Sequence, residues 1–192
     1  MPRPFMVEFT GTPEAGKTTV IGNISNKLLN LGYSVLVLKE SAEKLPDEIP
    51  KGTWDANLWM HYQTQSGVLK AMYSKADIVL IDRGLLDSKF YGNKFFWTNM
   101  CSKEQYDKFN SQFMEELFPD FLVAMKVSPK IAVQRRGGEG RLVNESYIQG
   151  YNQMFERYYK ELECNRVLID TSNFDVYQMN SKIFDEIYKT LP

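Results

Sequence analysis

Residues 5–19 read, in order, as an apolar run, a glycine-bounded loop and the opening of a helix-length segment. The loop, "GTPEAGKTT" (11–19), meets the pattern G-x-x-x-x-G-K-[ST] through Gly11, Gly16, Lys17 and Thr18. Glycines at those two places let the backbone turn so that successive N–H groups point inward. A helix starting at Lys17 would add the positive end of its dipole. Phosphate oxygens fit such a cradle. Thr12, Pro13, Glu14, Ala15 and Thr19 complete the expected ATP-binding loop. Lys17 would reach the β- and γ-phosphates, and the Thr18 hydroxyl would ligate Mg2+.

The rest of the chain repeats the strand-then-helix alternation. "FMVEFT" (5–10), "SVLVLK" (34–39) and "DIVLID" (77–82) are short apolar runs of the kind buried on both faces of a parallel sheet, and "FLVAMKV" (121–127) and "RVLID" (166–170) are weaker ones. Between them, residues 17–31, 55–75, 102–117, 145–163 and 175–190 carry apolar spacing nearer 3.6 than 2, and another helix starts near Pro129. This predicts an α/β fold with a parallel sheet flanked by helices. The 192 residues show no linker, repeat or low-complexity stretch, so one domain over 1–192 is expected. Residues 40–53, with two prolines and few large apolar side chains, read as a loop near the site.

Two further segments carry candidate chemistry. Asp82 ends an apolar run, where a carboxylate can organise Mg2+ beside the phosphates, and Arg83 follows it at once. A charged pair leaving a buried strand is costly unless it enters a polar cleft, and in open parallel sheets that cleft lies at the carboxyl ends of the strands. Asp82 is therefore expected to hold the metal with Thr18, and Arg83 to clamp the acceptor. Asp87, Ser88 and the aromatics Phe90, Tyr91, Phe95, Phe96 and Trp97 continue that wall, with one or two of the rings expected at the ligand and the others in the core. Further on, "QRRGGEGR" places Arg135, Arg136 and Arg141 around a glycine-rich turn. Several guanidiniums on a flexible loop suit a lid, about 136–144, that closes on transferring phosphates.

Other classes fall away. A GTPase switch needs D-x-x-G and N-K-x-D, and neither occurs: "NKLL" (26–29) and "NKFF" (93–96) both lack the aspartate. His61 is the only histidine, which rules out a multi-histidine zinc site and suits a packing or surface role better than chemistry. Cys101 and Cys164 have no metal-type spacing and are expected as free, partly buried thiols. The net charge of −1 disfavours a nucleic-acid partner while leaving room for a local groove. No signal-peptide pattern or membrane-length apolar run is visible, so a cytoplasmic protein with no membrane contact is expected.

At these motifs the chain resembles the thymidylate kinase and deoxynucleoside kinase superfamily. "EFTGTPEAGKTT" is similar to its phosphate loop, including the doubled Thr18-Thr19, and "IDRGLLDSKFYG" to its Asp-Arg motif. "FPDFLVAMKVSPKIAVQRR" resembles the stretch leading to the lid, and "RGGEGRLVNESYIQGYNQMFERYY" the lid and its following helix in bacterial thymidylate kinases. The resemblance implies a three-layer P-loop NTPase fold with a five-stranded parallel sheet in order 2-3-1-4-5. It also implies ATP and Mg2+, a small nucleoside or nucleotide acceptor, and pairing of the kind seen in kinases that form homodimers. The chain departs from thymidylate kinases after the second strand. There Arg-Glu-Pro-Gly-Gly is replaced by Lys39-Glu40-Ser41-Ala42-Glu43. Lys39 would offer the acceptor a point charge without the guanidinium fork. By analogy with deoxynucleoside kinases Glu40 would be the base for a hydroxyl acceptor. Gln63 and Gln65 are candidates for contact with a base edge. The catalytic set expected is Lys17, Glu40, Asp82, Arg83, Arg136 and Arg141. Two alternatives remain beside a nucleoside or nucleoside monophosphate kinase: a kinase acting on a hydroxyl of a larger acceptor such as a modified base in DNA or RNA, and a non-kinase ATP-binding regulatory module.

Overall fold

The structure, a computed structural model, describes residues 3–138, 140 and 143–192. Five strands form one parallel sheet: β1 (Phe5–Gly11), β2 (Val35–Leu38), β3 (Ile78–Asp82), β4 (Phe121–Lys126) and β5 (Arg166–Asp170), in the spatial order β2-β3-β1-β4-β5. The order matches the expectation. Helices α1 (Lys17–Asn30), α2 (Trp54–Met72), α3 (Leu85–Trp97), α4 (Lys103–Asn110), α5 (Pro129–Arg136), α6 (Glu145–Glu161) and α7 (Val176–Tyr188) cover the sheet.

Alternation along β1 decides which residues meet which layer. Val7 and Phe9 pack with Val20, Ile24 and Leu28 of α1 and with Ile183 and Ile187 of α7. Met6, on the other face, packs with Val68 and Ala71 of α2 and Leu85 of α3. Glu8 and Thr10 share its face, and both are fully buried. Phe90 of α3 and Tyr151, Phe155 and Tyr158 of α6 form a third cluster against Ala124 of β4. Both faces of the sheet are covered, so the strands are mostly apolar, with Glu8 in β1 a buried exception.

Two expectations about helices need correction. Residues 102–117 do not form one helix: α4 stops at Asn110, and a short 3-10 turn covers Glu115–Leu117. Phe109 joins Trp54 and Phe95, whereas Leu117 joins the cluster of Met6. One straight helix cannot serve both. The helix α3, absent from the periodicity reading, follows β3 almost at once. It is buried around much of its circumference, at Leu85, Asp87, Ser88, Gly92 and Asn93 as well as at Phe90 and Phe95, so no polar face marks its period. Among the described residues no helix is long and apolar enough to cross a membrane.

Candidate active site

The loop between β1 and α1 has the backbone its glycines predict. Gly11 and Gly16 take φ of 121° and 89°, in the region that favours glycine. A Cβ on Gly11 would run into the Met125 carbonyl, and that carbonyl accepts the Thr12 N–H at 2.9 Å. Glu14 holds a left-handed φ of 61° without being glycine. No side chain caps α1, and no acid stands in its first turn, so its leading amides are left for an anion. Lys17 Nζ donates to the carbonyls of Gly11 (3.1 Å) and Thr12 (2.9 Å). Burial, helped by the Arg83 charge, pushes the Lys17 ammonium down to about 7.

The expected metal pair meets. Thr18 Oγ1 donates to Asp82 Oδ2 at 2.8 Å, while Asp82 Oδ1 is buried with no partner. An orphaned buried carboxylate oxygen beside a hydroxyl fits a hard divalent cation. Among the described residues no cluster of three or more Asp, Glu, His or Cys could cage a metal alone. Such a pair suits Mg2+, which takes its remaining oxygens from water and phosphate.

Arg83 follows β3 directly and meets two carboxylates. Its φ is 59°, and its amide donates to the Phe9 carbonyl at 2.9 Å, which turns the chain sharply out of β3. Nε lies 3.0 Å from Glu40 Oε1, an ion-pair distance without hydrogen-bond alignment, and Nη1 donates to Asp87 Oδ1 at 3.2 Å. Asp87 also accepts the Thr10 hydroxyl. Burial raises the Glu40 carboxyl above the ordinary carboxylate range, opposed by the Arg83 guanidinium and reinforced by Asp87 and Asp82. Lys39 is exposed and lines a cleft of about 210 Å³ with Thr18, Glu40 and Asp82.

The glutamines do not reach this site. Gln63 is exposed on the side of α2 turned from Asn57, His61 and Thr64, because residues two apart on a helix diverge by about 200°. Gln65 donates to the Gln112 carbonyl at 3.2 Å. His61 is buried, with Nδ1 3.2 Å from Ser88 Oγ and its ring against Phe109 and Phe113. Burial pushes its pKa down to about 4, so it is neutral and a packing group, as expected. Of the aromatics, Phe90 and Phe95 are core, Phe96 stacks on Tyr106, and Trp97 lies under Arg157. Tyr91 packs edge-on against Phe90 and Tyr151. Cys101 and Cys164 are free and half-buried.

At the phosphate loop, several contacts were not legible in the sequence. Arg135, rather than Arg136, is tied down: its Nη1 donates to the Glu14 carbonyl (3.1 Å) and to Thr171 Oγ1 (3.0 Å), and its Nη2 donates to the Thr171 carbonyl (2.7 Å). Arg136 is exposed, with Nη1 4.0 Å from Glu14 Oε1. Arg141 lies outside the described residues. Asn152 accepts the Thr12 hydroxyl at 2.6 Å and donates to the Val127 carbonyl at 2.9 Å, and Tyr151 donates to the Gly11 carbonyl at 3.1 Å. The one signal for these was polarity out of place, an Asn beside Ile148, Tyr151 and Phe155 on the buried face of α6.

No family model matches the chain. Solved structures of the deoxyadenosine kinase of M. mycoides superpose on it with TM-scores of 0.75, 0.74 and 0.73 at 22%, 23% and 24% identity, each covering 96% of this chain and 99–100% of that one. The chain has the deoxynucleoside kinase fold. Those structures hold dCMP with dCDP, dATP and dCTP respectively. In sequence the chain is 24% identical to the thymidylate kinase of Caldicellulosiruptor saccharolyticus over 205 residues, spanning 95% of this chain and 97% of that protein. It is 25% identical over 203 residues to that of Caldanaerobacter subterraneus subsp. tengcongensis, spanning 95% and 96%. The resemblance to the thymidylate kinase and deoxynucleoside kinase superfamily, read from the motifs, is borne out over nearly the whole chain.

Proposed function

We propose that this protein is a nucleoside kinase that moves the γ-phosphoryl group of ATP to a hydroxyl of a nucleoside or deoxynucleoside, acting as one domain over 1–192. The observation that carries the choice of acceptor is the pairing of Arg83 with two carboxylates, Glu40 at 3.0 Å and Asp87 at 3.2 Å. A guanidinium flanked in this way has its charge already matched by two acids, which leaves the exposed Lys39 as the other cation beside Glu40. A phosphate monoester arriving there would meet Glu40 and Asp87, whereas a neutral hydroxyl can hydrogen-bond to Glu40. The upward shift that burial gives Glu40 makes its carboxylate a stronger base.

Mg2+ held by Thr18 and Asp82 would offset charge on the β- and γ-phosphates. The loop amides and Lys17 hold the donor, and a bound triphosphate would return Lys17 to its cationic form. The acceptor oxygen attacks the γ-phosphorus as the bond to the ADP oxygen breaks, and its proton passes to Glu40. Arg83 orients the acceptor oxygen through the geometry that Asp87 and Glu40 impose on it. Lys39, Arg136 and Arg141 supply the remaining cations, the two arginines from a lid at about 136–144. Catalysis of this kind is chiefly placement and charge compensation.

A second reading, phosphoryl transfer to a nucleoside monophosphate, is favoured by the likeness to thymidylate kinases in sequence. A panel of nucleosides and nucleoside monophosphates, incubated with Mg2+ and γ-labelled ATP, decides between them. Label on nucleosides, lost in Lys17→Ala, is the expected result. Label on monophosphates alone would replace this reading with the second. Hydrolysis indifferent to every acceptor would mark a regulatory module. Steeply salt-dependent binding of DNA or RNA would redirect the search to a polymer hydroxyl.

A further inference from the structure

The mechanism above leaves one buried acid unused. Glu8, in the middle of β1, is fully buried. Its two oxygens accept the Asp87 N–H at 2.7 Å and the Leu86 N–H at 3.1 Å. These are first-turn amides of α3, whose N-cap, Gly84, has no side chain with which to satisfy them. Glu8 therefore does from across the sheet what a capping side chain does locally. The space is shaped for it: a Cβ on Gly84 would fall 2.6 Å from Glu8 Cδ, although the φ of −92° there would accept a side chain.

Groups that meet the acceptor hang from this contact. The amide that Glu8 holds most closely belongs to Asp87, whose carboxylate takes the Thr10 hydroxyl and the Arg83 guanidinium. The Arg83 backbone is fixed independently by Phe9, so the direction of its side chain depends on where Asp87 stands. A buried acid without a cation is an expensive way to fill space, and an apolar residue would pack there at lower cost. We propose that Glu8 is a positioning residue: by holding the first turn of α3 it sets Asp87, and through Asp87 the Arg83 clamp, for the acceptor. This rests on the reading of Arg83 as the acceptor clamp.

Burial pushes Glu8 up to about 8, with Asp87 adding to the rise and the amides opposing it. The titratable groups around it are Asp87 on α3, Tyr158 on α6 and Cys164 beyond α6, none of them cationic. The ionised form accepts both amides, whereas a proton on either oxygen would face a donor.

Glu8→Gln keeps the length but presents an amide N–H to one of those donors. At saturating ATP, acceptor kcat/KM should fall roughly 10- to 100-fold, as for other residues that orient a catalytic group, while the KM for ATP stays near its original value. In the wild type, acceptor kcat/KM should rise through about pH 8, and the rise should vanish in Glu8→Gln. Unchanged acceptor kcat/KM, or an equal loss on the ATP side, would overturn the inference. If Glu8→Gln does not fold, Glu8→Ala combined with Gly84→Ala restores a methyl to the vacated volume and should show the same acceptor defect. Wild-type behaviour in that pair overturns the inference equally. A wild-type enzyme that phosphorylates no nucleoside sinks the functional reading itself. An active wild type with an indifferent Glu8→Gln sinks only this inference. The Leu86 and Asp87 amide resonances, which should titrate together near pH 8, check the contact without reference to activity.

Discussion

Arg83 shows what one residue's identity can and cannot say. That an arginine directly after Asp82 belongs to a polar cleft followed from the cost of leaving a charge beside a buried strand. That two carboxylates would hold it did not follow: Asp87 stands one turn on in a helix the periodicity did not show, and Glu40 comes from beyond β2. Arg83→Lys keeps the charge and loses the fork. We expect acceptor kcat/KM to fall by about 10- to 100-fold, the worth of one charged hydrogen bond at about 1.5–3 kcal/mol, with the KM for ATP nearly unchanged. Steady-state kinetics with each substrate varied in turn checks this. A shift confined to ATP would show that Arg83 serves the donor. The placement of Lys17, Thr18 and Asp82 was legible one by one because it is set by local backbone shape. Gln63 was not, since one residue of helical phase separates a cleft from solvent.

At the scale of elements, legibility followed contrast. The five strands could be read because each is a short, mostly apolar run, interrupted in β1 by Glu8. In contrast, α3 was hidden because its buried face includes Asp87, Ser88 and Asn93 as well as apolar residues. Its packing makes a paired prediction. Gly92 lies against the Phe109 ring, where a Cβ would fall 2.7 Å from Cδ1, so Gly92→Ala should destabilise the protein by about 1–3 kcal/mol through overpacking. Gly150 of α6 has open space around its missing Cβ, so Gly150→Ala should stabilise by about 0.5–1 kcal/mol. Denaturant unfolding of the two variants checks the contrast. Opposite signs are expected, and equal effects would mean that α3 and α4 do not pack as described.

For the whole molecule, two buried ionisable groups make stability depend on pH in opposite directions. Folded Glu8 keeps its proton up to about 8, whereas the unfolded chain releases it near 4.5, so this group's contribution falls as pH rises between those values. Folded Lys17 loses its proton near 7, whereas the unfolded chain keeps it to about 10.5, so its contribution rises with pH over that window. The stability of wild type relative to Glu8→Gln should therefore decline from about pH 5 to about pH 8 and level off above it. Urea unfolding at a series of pH values reads that difference, and a flat one would mean that Glu8 is ionised throughout. Mg2+ and ATP, binding only the folded form, should add about 2.7 kcal/mol at a hundredfold excess over Kd, and Lys17→Ala should remove most of that gain.

The sequence by itself determined the phosphate loop, the alternation of strands and helices and the carboxylate at the end of β3. Each depends on residues close together in the chain, whose spacing encodes backbone geometry and burial directly. Only the tertiary structure decided that Arg135 rather than Arg136 ties down the loop, that Arg83 stands between two acids, and that Glu8 caps a helix 78 residues away in sequence. Apart from the one-turn step from Arg83 to Asp87, those contacts depend on the order and twist of the sheet, which bring distant residues within about 3 Å, the range in which a hydrogen bond forms.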